Sequence, residues 1–563
     1  MRNPKAMIRP LNFRAISLKN HSWPLIASAS LTCPGQMNSV LQSNNHEGMA
    51  RLIPLRFVAN KHSTIPSESQ RQSIMNSRID LRPIVHVVGL LLLGLAAFMM
   101  IPAIVEALMT KYTPSEFLFA AAATGFFGGM FILATRDNRE FTLNIKQAFL
   151  LTASCWIILP VFAALPLLGS GLQEGPSLSF TDAVFETVSG ITTTGSTVMS
   201  GLDDMLPGIL LWRSLLQWIG GIGIVVMAII LLPFLRIGGM QLFRTESSDK
   251  SEKVIPKSAE LVKWITGVYI GLTAACVVAY IASGMTVFDA VNHAMTTLST
   301  GGYSTHDASF GYFDADSQWI GVIFMLAGAA PFISYIRYAQ GKHRAFIDDP
   351  QIKTFLRFLS ATILISAVML MVDQGWGFFE ALRMSAFNIV SIVTTTGFAS
   401  SDYTLWGTGA VAGFFLLTFM GGCAGSTSGA IKVYRFQVLW ITLREQMMRL
   451  NSPNRVVVLH YHGARMPQDL PISVLAFLAA FFASIAVITL ALTMMGIDFV
   501  TALSACATAI TNVGPGLGEI IGPAGNFSSL PDGAKWLLSF AMLLGRLEVF
   551  TLLMLFDPHF WRD

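Results

Sequence analysis

The sequence contains Thr394-Thr395-Thr396-Gly397, and related phrases occur at Thr192-Thr193-Thr194-Gly195, Ser299-Thr300-Gly301-Gly302 and Thr511-Asn512-Val513-Gly514. Successive copies are about 100 residues apart, which is too long for a solenoid unit. Each copy must therefore belong to a substantial element rather than to one helical hairpin. Four such copies predict a single polypeptide that folds around a pore with pseudo-fourfold symmetry.

The composition predicts an integral membrane protein rather than a soluble one. Of the 563 residues, 53% are hydrophobic and 12% are charged, whereas an ordinary soluble domain has about 25% charged residues. A membrane-spanning helix needs about 20 mostly apolar residues. Ten segments approach this length, at about 83–108, 115–135, 147–168, 208–235, 260–283, 318–339, 353–373, 405–440, 471–496 and 534–556.

The charges predict how the chain is oriented in the membrane. Basic residues cluster in alternate connections, at 136–146, 236–263, 342–353 and 432–465, and the positive-inside rule places such loops in the cytoplasm. Both termini are then cytoplasmic, and the four phrases lie toward the outside. The outer acids could form an anionic vestibule for cations or could simply cap their own loops. They are Asp203, Asp204, Asp307, Asp314, Asp316, Asp402 and Glu519.

Residues 1–75 differ in composition from the rest of the chain. They are basic, with no acidic residue before Glu47, and are rich in Ser and Asn. This composition is typical of a targeting segment, but a hydrophobic signal core is missing. Met75-Asn76-Ser77-Arg78 directly precedes the first predicted span. We therefore expect a disordered extension or an over-extended start.

Each Thr/Gly phrase follows an apolar stretch that is too short to cross the bilayer. These stretches begin alike, at Phe180-Thr181-Asp182-Ala183, Phe288-Asp289-Ala290, Phe379-Glu380-Ala381 and Phe499-Val500-Thr501-Ala502. The distance from the acid or threonine to the final glycine is four residues longer in the third copy, which is about one helical turn. The spacing predicts a short re-entrant helix with an acid or threonine in its first turn, followed by an irregular strand.

Four irregular loops at membrane depth predict a cation filter. Such backbone is tolerated only where it is buried in protein or lines a water-filled cavity. Carbonyl oxygens can replace the water around a monovalent cation without adding charge, and glycine permits the required backbone. One Thr-Gly pair alone would indicate a helix cap, but four matched copies favour the filter. The candidate ion-binding residues are Thr193, Thr194, Gly195, Thr300, Gly301, Gly302, Thr395, Thr396, Gly397, Asn512, Val513 and Gly514.

From about residue 75 to residue 563, the chain resembles the TrkH/KtrB superfamily of potassium transporters, and the TrkH branch most closely. The resemblance is carried by residues 299–314, by Gly421-Gly422-Cys423-Ala424-Gly425-Ser426-Thr427, by residues 511–519 and by Gly545-Arg546-Leu547-Glu548. It implies one filter glycine in each repeat and a homodimer with one pore in each subunit. It further implies potassium uptake across the bacterial inner membrane, with or without proton symport, and a cytosolic nucleotide-binding regulator of the TrkA type.

The eighth predicted span, 405–440, is interrupted by a run too rich in glycine and serine to stay helical. In TrkH-like proteins the matching segment is an intramembrane loop that obstructs the pore, so we assign residues 421–430 as the gate. Close helix packing through small residues is the alternative. The gate residues are Gly421, Gly422, Cys423, Ala424, Gly425, Ser426, Thr427, Ser428 and Gly429, with Ala430 at the end of the loop.

Arg546 lies in the last predicted span, where a charged group is costly unless it meets a partner or water. We expect it to face the pore, and the resemblance implies a positive barrier beneath the filter that is coupled to the gate. An ion pair with Glu548 or another buried acid is the alternative. Arg213, Gln217 and Glu186 also lie in or beside spans, and we expect them to brace the filter rather than to bind ions.

The predicted fold is an all-α polytopic membrane protein with two N-terminal spans and four repeats of span, pore helix, filter loop and span. Residues 1–75 are the extension and residues 76–146 the two N-terminal helices. The pore repeats are 147–240, 241–343, 344–450 with the gate, and 451–563. The basic segments 236–263 and 432–465 are candidate docking surfaces for the regulator. Membrane lipid is an expected partner, and nucleic acid is not.

Other functions compete with potassium uptake. A sodium-coupled KtrB-like transporter or a weakly selective cation channel stays open, because one glycine per loop offers few carbonyls to an ion. An intramembrane serine protease would need Ser428 within about 3 Å of a base such as His293.

His460 and His462 are expected to be solvated rather than to bind metal. The five cysteines are scattered without metal-ligand spacing, so a zinc site is not expected. The sequence contains no nucleotide-binding motif. We expect neither an enzyme nor a cofactor, and we expect potassium only as the transported ion.

Overall fold

The computed structural model describes residues 79–110, 113–136, 144–169, 178–227, 258–454, 457–461 and 464–562. The predicted extension 1–75, most of the basic segment 236–263 and His462 lie outside these residues. The helices of the described residues are joined by irregular segments, and the one sheet among these residues is a small antiparallel pair, β1 (His460–Tyr461) and β2 (Ala464–Arg465). The prediction of an all-α membrane fold is therefore confirmed.

The helices of the described residues follow one another along the chain. They are α1 (Arg82–Met109), α2 (Ser115–Ala134), α3 (Ile145–Ala163), α4 (Leu165–Gly169), α5 (Phe180–Ile191), α6 (Pro207–Val226), α7 (Ser258–Ala282), α8 (Val287–Leu298), α9 (Ala315–Ala329), α10 (Phe332–Ala339), α11 (Ala345–Asp348), α12 (Pro350–Asp373), α13 (Phe378–Val393), α14 (Thr408–Thr418), α15 (Val433–Asn451), α16 (Asp469–Met494), α17 (Phe499–Thr511), α18 (Asp532–Arg546), α19 (Phe550–Leu553) and α20 (Pro558–Arg562). Short 3-10 helices are found at Leu202–Asp204, Ser309–Tyr312, Tyr403–Trp406 and Met554–Phe556.

The spans follow the predicted segments, with two bends that the sequence did not predict. In the described residues, seven stretches are long and apolar enough to cross a membrane, namely α1, α2, α3 with α4, α6, α7, α12 and α16. The pair α9 and α10 bends by 90°, and α18 bends by 109° against the segment that starts with α19. The eighth predicted span is interrupted, as expected, because α14 ends at Thr418 and α15 begins only at Val433.

Both bends have local causes in the backbone. The first contains Pro331 between α9 and α10, and proline cannot continue a helical hydrogen-bond ladder because it has no N–H. The second contains Glu548 and Val549, whose φ angles are 59° and 48°. Two consecutive residues in the left-handed region end a right-handed helix.

The four short helices α5, α8, α13 and α17 have the lengths that the spacing predicted. They contain 12, 12, 16 and 13 residues, so the third is longer by about one turn. Acids lie in the first turn of the first three, where they complement the positive end of the helix dipole. Ser179, Thr286 and Asp498 cap the N-termini of α5, α8 and α17 through their side-chain oxygens.

The short helices form the buried centre, while the spans around them present apolar side chains outward. Most of α6 is buried, whereas the other spans are largely exposed and carry residues such as Leu108, Phe119 and Val372 on their outer surfaces. Such a surface is suited to lipid hydrocarbon rather than to water, because contact between apolar side chains and hydrocarbon carries no free-energy penalty.

The two N-terminal helices approach each other closely at a pair of glycines. A Cβ on Gly128 in α2 would lie 2.9 Å from the carbonyl oxygen of Gly89 in α1, and the reverse holds for a Cβ on Gly89. Small residues of this kind let the backbones of membrane helices touch. A Cβ on Gly129, the next glycine in α2, would have no neighbouring atom within 4 Å.

Gly128→Leu is therefore expected to lower the stability of the protein, by about 1–3 kcal/mol, because the added side chain must push α1 and α2 apart. The thermal unfolding midpoint in detergent measures this effect. Gly129→Leu is the matched control, since it adds the same side chain one residue away on the open face. Equal midpoints for the two variants would contradict the close contact between α1 and α2.

Candidate functional site

The four Thr/Gly phrases adopt the same unusual backbone. In every phrase the final glycine has a positive φ, between 79° and 104°, and the residue two positions earlier is also left-handed, with φ between 52° and 60°. A left-handed residue in an extended strand turns its peptide group over, so that successive carbonyls need not alternate in direction. The residue pairs are Thr193 and Gly195, Thr300 and Gly302, Thr395 and Gly397, and Asn512 and Gly514.

The same glycines pack against one another in a closed ring, which we call the glycine ring. A Cβ on each glycine would collide with a carbonyl oxygen of the next phrase in chain order, and the fourth glycine meets the first phrase. Side chains are therefore excluded at all four positions by neighbouring backbone. The contacts are Gly195 with Gly301, Gly302 with Thr396, Gly397 with Val513, and Gly514 with Thr194.

A buried ion pair supports the strands that follow the first two glycines of the ring. Arg213 on α6 lies 2.8 Å from Glu186 on α5, and both side chains are at most 2% exposed. Glu186 accepts a hydrogen bond from the backbone N–H of Val198, and Arg213 donates to the carbonyl of Ser304. Because every bond ends on the protein, these groups brace the strands and are not free to coordinate an ion.

Gln217 on α6 holds the second phrase directly. Its amide nitrogen donates to the carbonyl of Gly301 at 2.6 Å, and its amide oxygen accepts from the backbone N–H of Tyr303 at 3.0 Å. A Cβ on Gly301 would collide with the Gln217 side chain. Gln217 thus occupies the space that a threonine at position 301 would need, which explains why the second phrase reads Ser-Thr-Gly-Gly.

The predicted gate is a non-helical loop in contact with the ring phrases, and residues 421–428 are all buried. The Thr427 hydroxyl lies within hydrogen-bond distance of the carbonyl of Leu298, at the end of α8, and of the carbonyl of Gly328. The backbone N–H of Ala430 donates to the carbonyl of Thr511 at 2.8 Å. The loop therefore touches the ends of α8 and α17, two of the four short helices, a position that close packing of two continuous helices would not produce.

Arg546 lies next to this loop at the end of α18. It is 3% exposed, and its Nη1 donates to the carbonyl of Thr427 at 3.1 Å. Its Nε and Nη2 have no hydrogen-bond partner among the described residues. They belong to a side chain that lines a cavity of about 30 Å³ together with the gate loop and Asn512. The alternative ion pair with Glu548 is not formed, because Glu548 pairs with Arg435 instead.

Sequence reasoning missed two further cations at this site. Lys432 and Arg435 belong to the segment predicted as a basic cytoplasmic loop, yet both are buried, at 7% and 0% exposure. The Lys432 ammonium donates to the carbonyl of Ser428 in the gate loop, and the Arg435 guanidinium lies 3.7 Å from the centre of the Phe477 ring. Their position directly after the Gly/Ser run could have indicated this, because residues that follow a loop in the chain lie close to it in the fold.

The residues of the alternative serine protease do not meet. The hydroxyl of Ser428 bonds within the gate loop, to the N–H of Gly422 and the hydroxyl of Ser426. Both ring nitrogens of His293 are engaged elsewhere, with the carbonyl of Asp289 and the hydroxyl of Ser304. A nucleophile and its base must share a hydrogen bond, so this arrangement is not a catalytic dyad.

Two of the acids that were predicted to face outward have partners in another repeat. Asp307 accepts hydrogen bonds from the backbone N–H groups of Gly201 and Leu202. Asp203 pairs with His306, and this hydrogen bond lowers the pKa of the Asp203 carboxyl below its usual value. Asp203 and Asp307 thus join the loop after the first glycine of the ring to the loop after the second, rather than capping only their own loops.

Comparison with known proteins identifies the family to which this chain belongs. Residues 115–562 match the TrkH family, described as cation transport proteins. The chain belongs to the TrkH family. It is 46% identical over 492 residues to the Trk system potassium uptake protein TrkI of Halomonas elongata, an alignment that covers 85% of this chain and 97% of that protein. With TrkH of Escherichia coli K12 it shares 36% identity, over 86% and 99% of the two chains.

The fold also matches a solved TrkH structure. The crystal structure of the potassium transporter TrkH from Vibrio parahaemolyticus superimposes with a TM-score of 0.78 at 35% identity, covering 86% of this chain and all of the other. The family resemblance drawn from the sequence is therefore confirmed. A TrkH family of cation transport proteins also confirms the prediction of a transporter rather than an enzyme.

Gln217→Leu is expected to reduce the preference for rubidium over sodium in uptake assays, because it leaves the Gly301 carbonyl and the Tyr303 N–H unpaired beside the ring. Each lost bond costs about 1–3 kcal/mol when the partner stays buried. Gln318→Leu is the matched control, since Gln318 also holds buried carbonyls, those of Phe310 and Phe313, but at the outer loop. An equal loss of preference in both variants would show a general destabilisation and would refute the specific role of Gln217.

Proposed function

We propose that this chain is the membrane subunit of a bacterial Trk system and carries potassium into the cell across the inner membrane. The glycine ring supports this proposal most directly, because four matched left-handed phrases surround one axis in a single chain. Membership of the TrkH family and the names of its relatives as potassium uptake proteins point the same way.

The ring would act as the selectivity filter. A potassium ion that enters from outside loses water, and carbonyl oxygens of the four phrases replace it. The dipoles of α5, α8, α13 and α17 add partial negative charge, because each phrase follows the C-terminal end of its helix. Uptake then runs down the membrane potential, which supplies about 2.3 kcal/mol per elementary charge for each 100 mV. Potassium is cargo here and no cofactor is required.

The loop 421–430 would be the gate, with Arg546 as a positive barrier. The buried loop is in contact with the ring phrases, and the cavity beside it is lined by Arg546, Lys432 and Arg435. Three cations against the single carboxylate of Glu548 oppose the passage of a further cation. Displacement of the loop and of the Arg546 contact to Thr427 would open the path to the cytoplasm.

A regulatory subunit would drive this displacement from the cytoplasm. The surface formed by α15 and the strands β1 and β2 follows the gate directly in the chain, and α15 carries exposed arginines such as Arg449. A regulator of the TrkA type that binds this surface could pull on the gate loop through α15. We further propose that two copies of the chain form a homodimer with one pore each, and that both termini are cytoplasmic.

Expression in a bacterium that lacks its own potassium uptake is expected to restore growth at low potassium. In proteoliposomes, rubidium uptake should persist when sodium is absent, and variation of pH at constant potential tests for proton symport. Gly302→Ser and Gly397→Ser are expected to weaken the preference for rubidium over sodium, because the added side chains collide with ring carbonyls. An unchanged ion preference after both substitutions would refute the filter assignment.

Deletion of residues 423–428, or Arg546→Ala, is expected to raise basal rubidium flux in the absence of a regulator. The deletion removes the obstruction, and the substitution removes the positive charge that opposes the ion. Arg449→Ala is the control, since this residue is half exposed at the far end of α15 and pairs with Glu445. Equal or lower flux in both gate variants, at normal membrane insertion, would refute the gate assignment.

A further inference from the structure

One residue of the glycine ring bonds directly to the gate loop. The hydroxyl of Thr395, two positions before the third glycine, accepts a hydrogen bond from the backbone N–H of Gly429 at 2.6 Å. Thr395 is 1% exposed and has a left-handed backbone with φ of 60°. The acceptor side of this hydrogen bond is buried, while Gly429 is half-buried. The third phrase and the loop are thus joined at the level where an ion would leave the filter.

Within the part of the chain that the structure describes, the side chains at the three equivalent ring positions do not bond to the gate loop. The Thr300 hydroxyl bonds to the carbonyl of Ser299 within its own phrase. The Asn512 side-chain amide donates to the hydroxyl of Thr194 in the first phrase. The Thr193 hydroxyl has no hydrogen-bond partner among the described residues. The four phrases share a backbone, but in the described structure Thr395 alone of these four side chains bonds to the loop.

The end of the gate loop is wedged between the third and fourth phrases. A Cβ on Gly429 would collide with the carbonyl of Thr511, which also accepts the N–H of Ala430. Residues 429 and 430 therefore cannot move away from the ring without breaking the bond to Thr395. Conversely, a rotation of the Thr395 backbone would withdraw the acceptor from Gly429.

We propose that Thr395 couples the filter to the gate, so that a cation bound in the ring and a seated gate loop stabilise each other. The proposal rests on the proposed filter and gate. A left-handed threonine is strained, and a cation held by the ring carbonyls offsets that strain and keeps the Thr395 hydroxyl in place for Gly429. Linkage makes the effect reciprocal, so opening the loop weakens the hold of the ring on its ion. The ion would then be released inward when the gate opens.

The native Cys423 provides a reporter for this coupling, because it is fully buried in the gate loop. The test uses the full-length chain in proteoliposomes with the other cysteines replaced, as Cys33→Ser, Cys155→Ser, Cys276→Ala and Cys506→Ala. The rate at which a methanethiosulfonate reagent modifies Cys423 then measures how often the loop leaves its seat. We expect potassium to slow this rate about fivefold relative to choline, the effect of one hydrogen bond.

Thr395→Val removes the hydroxyl and keeps the shape of the side chain. It is expected to speed the modification of Cys423 and to make the rates in potassium and choline equal. Thr395→Ser keeps the hydroxyl and should retain the potassium effect, which guards against a variant that merely misfolds. Thr193→Val makes the same change at the equivalent position of the first phrase. Whatever it does to uptake, it should retain the potassium effect on Cys423.

Equal modification rates in potassium and choline for the parent chain, or faster modification in potassium, would overturn the coupling. An undiminished potassium effect in Thr395→Val would overturn the role of Thr395. Rubidium uptake by the same vesicles separates this inference from the proposed function. A parent chain without uptake refutes the transport proposal, whereas uptake without a potassium effect on Cys423 refutes the coupling alone.

Discussion

Backbone that leaves the helical pattern at membrane depth must find hydrogen-bond partners inside the protein, because hydrocarbon offers none. The four ring phrases and the gate loop are five such stretches, and their surroundings answer this need. Gln217 serves the second phrase, Glu186 and Arg213 serve the strands after the first and second glycines, and Asn512 reaches across to Thr194. These buried polar side chains thus supply the hydrogen bonds that the irregular segments need.

The gate loop satisfies the same need through two sets of hydrogen bonds. One set joins it to α9 and α12, where the N–H groups of Cys423 and Ala424 reach the carbonyl of Ala329 and the side chain of Gln351. The other set joins it to the short helices and the ring phrases. The backbone and side chains of the loop use the carbonyls of Leu298 and Thr511 and the hydroxyl of Thr395 as partners. Those groups belong to pore helices and ring phrases. Any displacement of the loop from this position must therefore break hydrogen bonds to the ring phrases.

Much of this arrangement was predictable from the sequence. The repeated phrases and their matched short helices predicted the four-part architecture, and the extra helical turn of α13 followed from a four-residue difference in spacing. The bends at Pro331 and at Glu548 were not predicted, because hydropathy does not distinguish a straight span from a bent one. The burial of Lys432 and Arg435 was also not predicted. The distribution of charges predicts the side of the membrane on which basic residues lie, but it does not predict which residues they contact in the folded protein.

The four quarters of the glycine ring are encoded in one chain, so each quarter can change in sequence without the other three. In a ring built from identical subunits, every substitution would appear four times. In this protein a single codon alters one quarter only, so position 301 can be glycine beside Gln217 while the first and third phrases have threonine at the matching position. The four quarters can therefore differ in their side chains while they share one backbone conformation.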